Sequence, residues 1–135
     1  MARTTDRVAL DDWYAVATAA DLGPPQETRL LGQDIRVARE HGAVTVREAG
    51  AGGRALPVRE KYGCVWTTLG TPGREIFDIP EATEPDRRHV PCGWVTMRAS
   101  GLRVVENFLD MAHFPFVHTN ILGVEPHTDV PGYDS

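Results

Sequence analysis

Asn107, Asp110 and His113 stand three residues apart, and His118 follows His113 by five. Positions three apart on a helix drift slowly around the axis and share one side. Pro115 disfavours helix at Phe114, so the helix should end near His113, and the chain beyond can return His118 toward it. Two imidazoles and a carboxylate on one face of an iron ion leave coordination positions open for oxygen and substrate. Glu125, His127, Asp129 and Asp134 are further candidates for a third ligand, and their spacing favours none of them. Two histidines five apart are by themselves far more often surface or satisfied core residues than ligands. The spacing permits a metal without requiring one.

The elements that must position these residues lie in a short segment near the end of the chain. Gly93–Ser100 reads as a strand, and Leu102–Ala112 has helical spacing with Val105, Leu109 and Ala112 on one face. The residues from Glu125 onward read as a loop-to-strand tail. Upstream, four prolines between Thr71 and Pro91 rule out a regular helix and mark a surface connection, pinned by Ile76, Phe77 and Ile79. The first half is strand-like. Trp13–Ala17 is a short apolar run closed by Asp21–Pro25, and Thr28–Leu31 with Ile35–Arg39 reads as a hairpin. Ala43–Arg47 leads into the glycine-rich tip Ala49–Gly53, and Leu56–Gly63 runs on into Cys64–Gly70. The fold class expected is mainly β with one short helix (α+β), a small antiparallel barrel or curled sheet. One domain of 135 residues is expected, with a β region at 12–70, a proline-rich connection at 71–92 and a strand–helix–tail segment at 93–135.

Bulk properties narrow the function. A net charge of −5 without a basic run argues against nucleic acid and anionic membranes as partners. No signal-peptide core or transmembrane stretch is visible, so a cytoplasmic protein is expected. Cys64 and Cys92 lack metal-type spacing and read as buried thiols rather than a disulfide. Trp13, Trp66 and Trp94 read as core or pocket walls, and Arg29, Arg36 and Arg39 as a solvated strand face.

The run ENFLDMAHFPFVHTNILG (Glu106–Gly123) resembles the mononuclear-iron motif of the large subunits of Rieske-type non-haem iron oxygenases. The segments TRLLGQDIRVAR and EKYGCVWTTLG are similar to strands that open and close the Rieske domain of that family, and GWVTMRAS to the start of its catalytic domain. The resemblance spans most of residues 12–135. It implies His113 and His118 as iron ligands and Asp110 as the acid linking that iron to the cluster of a neighbouring subunit, with Asn107 close to the metal. Two departures stand out. A Rieske cluster needs two cysteines and two histidines, yet the interval where the family carries them is reduced to Ala49–Leu56, with no Cys or His. The family's carboxylate ligand lies far downstream, beyond Ser135.

A scaffold without its electron path suggests a non-redox enzyme that holds a flexible substrate in reactive geometry. The reading is a cofactor-independent cyclase of polyketide biosynthesis, of Diels–Alder or higher-order cycloaddition type, taking an apolar small molecule. Asn107, Asp110, His113 and His118 would be its catalytic contacts. Tyr14, Trp66, Trp94, Met97, Met111, Phe114 and Phe116 would be its walls. No cofactor is expected, His113 and His118 being the ligands if iron is retained. Missing domain surface predicts a homo-oligomer. The alternatives are a metal-binding subunit of a split Rieske oxygenase, needing a partner chain, and a non-catalytic scaffold.

Overall fold

The computed structural model describes residues 4–88, 90, 94, 95 and 97–130. Cys92, Asp134 and parts of the expected strand at 93–100 and of the tail lie outside the described residues. The chain folds as two compact units, Met1–Gly93 and Trp94–Ser135.

Unit 1 opens with a single helical turn, α1 (Arg7–Leu10), capped by the Asp6 carboxylate, which accepts from Val8 N–H at 2.9 Å. Seven antiparallel strands follow: β1 (Tyr14–Thr18), β2 (Gln26–Leu30), β3 (Gln33–Glu40), β4 (Ala43–Glu48), β5 (Ala55–Leu56), β6 (Val58–Lys61) and β7 (Cys64–Thr67). They form two sheets, ordered β1-β7-β6 and β2-β3-β4-β5. Apolar side chains from both sheets, with Ile35, Val37, Val46 and Val65 wholly buried, make one core. The protein is mainly β, as its alternating patterns predict.

Three hairpins turn on a two-residue loop whose second residue is glycine. The loops are Leu31–Gly32, His41–Gly42 and Tyr62–Gly63, with φ between +49° and +86° at all six residues. Positive φ at both loop positions matches the twist of the flanking strands, and glycine tolerates it without strain. The last of these loops divides the expected run Leu56–Gly70 into β6 and β7, and Pro57 separates β5 from β6. In β1, Val16 is the extra residue of a bulge between Ala15 and Ala17, which leaves Ala17 and Thr18 both buried.

The turn between β4 and β5 closes tightly. Gly53 N–H donates to Gly50 O at 3.2 Å, Glu48 N–H to Arg54 O at 3.0 Å, and Arg54 also binds the Glu48 carboxylate at 3.0 Å. A Cβ on Gly53 would collide with the Glu48 carbonyl oxygen. The proline-rich connection is pinned to the β6–β7 hairpin. Lys61 Nζ donates to Ile76 O at 2.9 Å, Phe77 O at 3.2 Å and the Asp78 carboxylate at 2.7 Å. Ile76 is buried, but Phe77 is 62% exposed and meets Trp66 edge-on at 5.9 Å.

Unit 2 contains α2 (Gly101–Leu109) and α3 (Phe114–Val117). Ser100 caps α2 by accepting from Arg103 N–H at 3.3 Å. The expected single helix over 102–112 is cut short at Leu109, because the Asp110 carboxylate takes the Ala112 N–H at 2.9 Å and turns the backbone. Pro115 then starts a helix instead of ending one: it occupies the first turn of α3, where its missing N–H costs nothing. Residues 94, 95 and 97–100 carry no strand. Among the described residues of unit 2, Pro115 alone is buried.

Candidate functional site

The break between α2 and α3 assembles the site. Because α2 stops at Leu109, Asn107, Asp110 and His113 do not share one helical face. The turn nevertheless brings the Asp110 carboxylate to 3.2 Å from His113 Nδ1. The short helix α3 then folds His118 back, so that its ring centre lies 5.2 Å from that of His113. Phe114 stands edge-on to His113 at 5.0 Å and 6.0 Å from His118. Its ring walls both imidazoles.

His113 is largely enclosed, with a side-chain exposure of 15%. Its Nδ1 is buried and makes no hydrogen bond, since the approach to Asp110 is close in distance but off the hydrogen-bond axis. An unpaired ring nitrogen beside a carboxylate and a second imidazole suits two nitrogen ligands of a metal ion. A third ligand is not gathered: among the described residues no group of three His, Cys, Asp or Glu side chains is placed to hold a metal. An iron–sulfur cluster does not fit. The β4–β5 turn, where the resemblance would insert a cluster-binding lobe, is a closed hairpin of glycine and alanine. Cys64 is a free thiol at the start of β7.

The other expected site residues are scattered. Asn107 is exposed on α2. Tyr14 and Trp66 belong to unit 1 and direct their polar atoms to backbone carbonyls: Tyr14 OH to Ala9 at 2.8 Å and Trp66 Nε1 to Lys61 at 2.9 Å. Burial, with Asp12 and Asp6 nearby, pushes the Tyr14 phenol above its ordinary pKa. Trp94, Met97 and Phe116 are more than half exposed. Met111 and Phe114 line a cavity of about 180 Å³ within unit 2, together with Leu122, His127 and Asp129. Its signal in the sequence is Gly123, whose missing side chain lets the backbone pass against Pro115. Spacing alone had offered His127 and Asp129 as metal ligands, not as cavity walls.

Comparison with known proteins adds what geometry cannot. Residues 97–134 match the family model of the vanillate O-demethylase oxygenase C-terminal domain. The chain is thereby similar to Rieske-type oxygenases. A probable methylxanthine N7-demethylase, NdmC, of Pseudomonas sp. (strain TJI-51) is 46% identical over 129 residues, covering 93% of this chain and 45% of that protein. The toluene-4-sulfonate monooxygenase iron-sulfur subunit TsaM1 of Comamonas testosteroni is 32% identical over 76 residues, covering 53% of this chain and 22% of that protein. The oxygenase of carbazole 1,9a-dioxygenase, solved with its ferredoxin, aligns at 17% identity and a TM-score of 0.41, over 44% of this chain and 29% of that one. The chain thus spans less than half the length of the curated relatives it matches.

These relatives overturn the cyclase reading. Demethylation and monooxygenation, the reactions these relatives are named for, are redox reactions and not cycloadditions. The expectation of no cofactor falls with it, because the relatives are oxygenases and one is named an iron-sulfur subunit. Loss of a cluster lobe does not entail loss of redox chemistry. A missing internal donor is equally compatible with electrons arriving from another polypeptide.

Proposed function

We propose that the chain is part of an oxygenase component that removes an N-methyl group from a methylated heteroaromatic substrate, of the kind named for NdmC. It would supply two histidine ligands of a mononuclear iron and receive electrons from a cluster held on another polypeptide. The observation that carries this reading is the His113–His118 pair, 5.2 Å between ring centres, inside a segment that matches an oxygenase C-terminal domain. A ferrous ion held by two imidazoles and a carboxylate offers open positions to dioxygen and substrate. The Asp110 carboxylate, 3.2 Å from His113 Nδ1, is near enough to orient the imidazole once the two groups align. The closed β4–β5 turn supports an external donor, since a cluster has no ligands there.

The test is anaerobic ferrous-iron binding to the purified chain, followed by equilibrium dialysis. One iron per chain is expected, with affinity reduced at least tenfold in His113→Ala and in His118→Ala and unchanged in His41→Ala, whose side chain lies in unit 1. Iron that binds equally well to the double variant His113→Ala/His118→Ala refutes the assignment.

A further inference from the structure

The outer face of the four-stranded sheet carries a charge arrangement that the oxygenase reading does not use. Arg36 on β3 and Arg47 on β4 are direct cross-strand partners, and like charges directly opposite each other destabilise a strand pair. Other arginines of unit 1 are matched to carboxylates: Arg29 to Asp34 at 2.6 Å, Arg39 to Glu60 at 3.3 Å, Arg54 to Glu48 at 3.0 Å and Arg59 to Glu75 at 3.7 Å. Among the described residues, neither Arg36 nor Arg47 has a carboxylate at ion-pair distance. Glu48, the acid adjacent in sequence to Arg47, is engaged by Arg54.

Both arginines line a cavity of about 570 Å³ whose far wall is the turn Ala49–Gly53. Arg47 Nη1 reaches the Gly53 carbonyl at 3.5 Å, which leans its guanidinium toward the turn. The turn bears no side chain larger than methyl, so a ligand can approach its backbone. Glu27, the cross-strand partner of Arg36, and Glu40 also line the cavity and oppose an anion there, as does Glu48, whose charge Arg54 offsets.

We infer that this cavity binds a small oxyanion, a phosphate or carboxylate group, between the Arg36 and Arg47 guanidinium groups. The planar fork of each guanidinium matches the oxygens of such a group. An anion at this point bridges the two arginines, whereas Glu27 lies directly opposite Arg36 alone. With Glu27 and Glu40 opposing it, the dissociation constant should be on the order of 1 mM. The inference concerns unit 1 alone and is independent of iron or of oxygenase activity.

The experiment titrates the full ¹⁵N-labelled chain with sodium phosphate, and separately with sodium benzoate, against sodium chloride at equal ionic strength. The amide resonances of residues 47–53 are followed. Saturable shifts are expected with at least one oxyanion and not with chloride, and the tighter probe identifies the group as phosphate or carboxylate. Arg36→Gln and Arg47→Gln should each weaken binding about tenfold, and Arg29→Gln should leave it unchanged. Glu27→Gln should tighten it about threefold, a gain that no folding defect produces. Shifts that fail to saturate, wild-type affinity in both arginine variants, or an unchanged Glu27→Gln overturns the assignment.

Discussion

If the β4–β5 turn is a built closure and not slack chain, its two kinds of glycine should respond differently to a single methyl group. At Gly52, φ is +74° and nothing lies within 4 Å of an added Cβ. Gly52→Ala therefore costs only left-handed backbone strain of about 1–2 kcal/mol, partly offset by about 0.4–1 kcal/mol from a stiffer unfolded chain. The net is about 1 kcal/mol. At Gly53 the added Cβ would fall on the Glu48 carbonyl. Relieving that clash breaks the Gly53–Gly50 and Glu48–Arg54 backbone hydrogen bonds, at about 1 kcal/mol each. Residual overpacking adds about 1 kcal/mol or more, so Gly53→Ala should cost about 3 kcal/mol. For a folded unit of this size 1 kcal/mol corresponds to about 4–8 °C in Tm. Thermal unfolding followed by circular dichroism at the β-sheet minimum should show a loss of about 4–8 °C for Gly52→Ala and about 12–24 °C for Gly53→Ala. Equal losses in the two variants would refute the closure, and with it the structural case that no cluster lobe belongs there.

Other consequences are open to direct measurement. Thr68 is wholly buried, donates to Leu10 O at 3.0 Å and accepts from Gly70 N–H at 3.2 Å. Thr68→Val strands both groups and should destabilise the protein by about 1–3 kcal/mol in urea unfolding. Ile35, also wholly buried at the centre of the core, should cost about 2–5 kcal/mol as Ile35→Ala in the same assay. The hydrogen bond from Arg29 holds the Asp34 carboxyl below its ordinary pKa of 3.8. A depressed folded pKa contributes stability above the unfolded value that is lost as pH falls through the folded one. The wild type should therefore lose more stability below about pH 4 than Asp34→Asn does, as read by urea midpoints at stepped pH. Asp110→Asn should weaken ferrous-iron binding about 10- to 100-fold while leaving the unfolding midpoint of unit 1 unchanged.

The β architecture was legible because its signals are local. Alternation in Ile35–Arg39 marks a strand with one buried face, and the structure buries Ile35 and Val37 while exposing Arg36 and Arg39. Strand boundaries were less legible. The His41–Gly42 turn carries one glycine and is a weaker compositional signal than the denser glycines at 50–53. The more reliable cue was a single glycine at the second position of a two-residue loop, repeated at Gly32, Gly42 and Gly63. At the site, spacing correctly suggested that His118 returns to His113, but the means were different. Asp110 ends α2 through its own side chain, and Pro115 begins a helix where it was expected only to stop one. The distinction depends on which N–H groups already lack a partner, which the sequence does not display. The cavity beside Phe114 was illegible, since it depends on Gly123 lying against Pro115 from outside the helical segment.

The two units differ in how complete they are, and this bears on what the site needs. Unit 1 buries its apolar strand faces, and between Leu10 and Ile76 no large apolar side chain is among the strongly exposed ones. Unit 2 is the reverse: Leu102, Phe108, Leu109, Val117 and Ile121 are each more than 65% exposed. An apolar helix face left in water does not hold a ligand geometry to the tolerance that metal chemistry requires. Polypeptide that covered α2 and α3 would therefore be expected to tighten ferrous-iron binding at the His113–His118 pair relative to the chain alone.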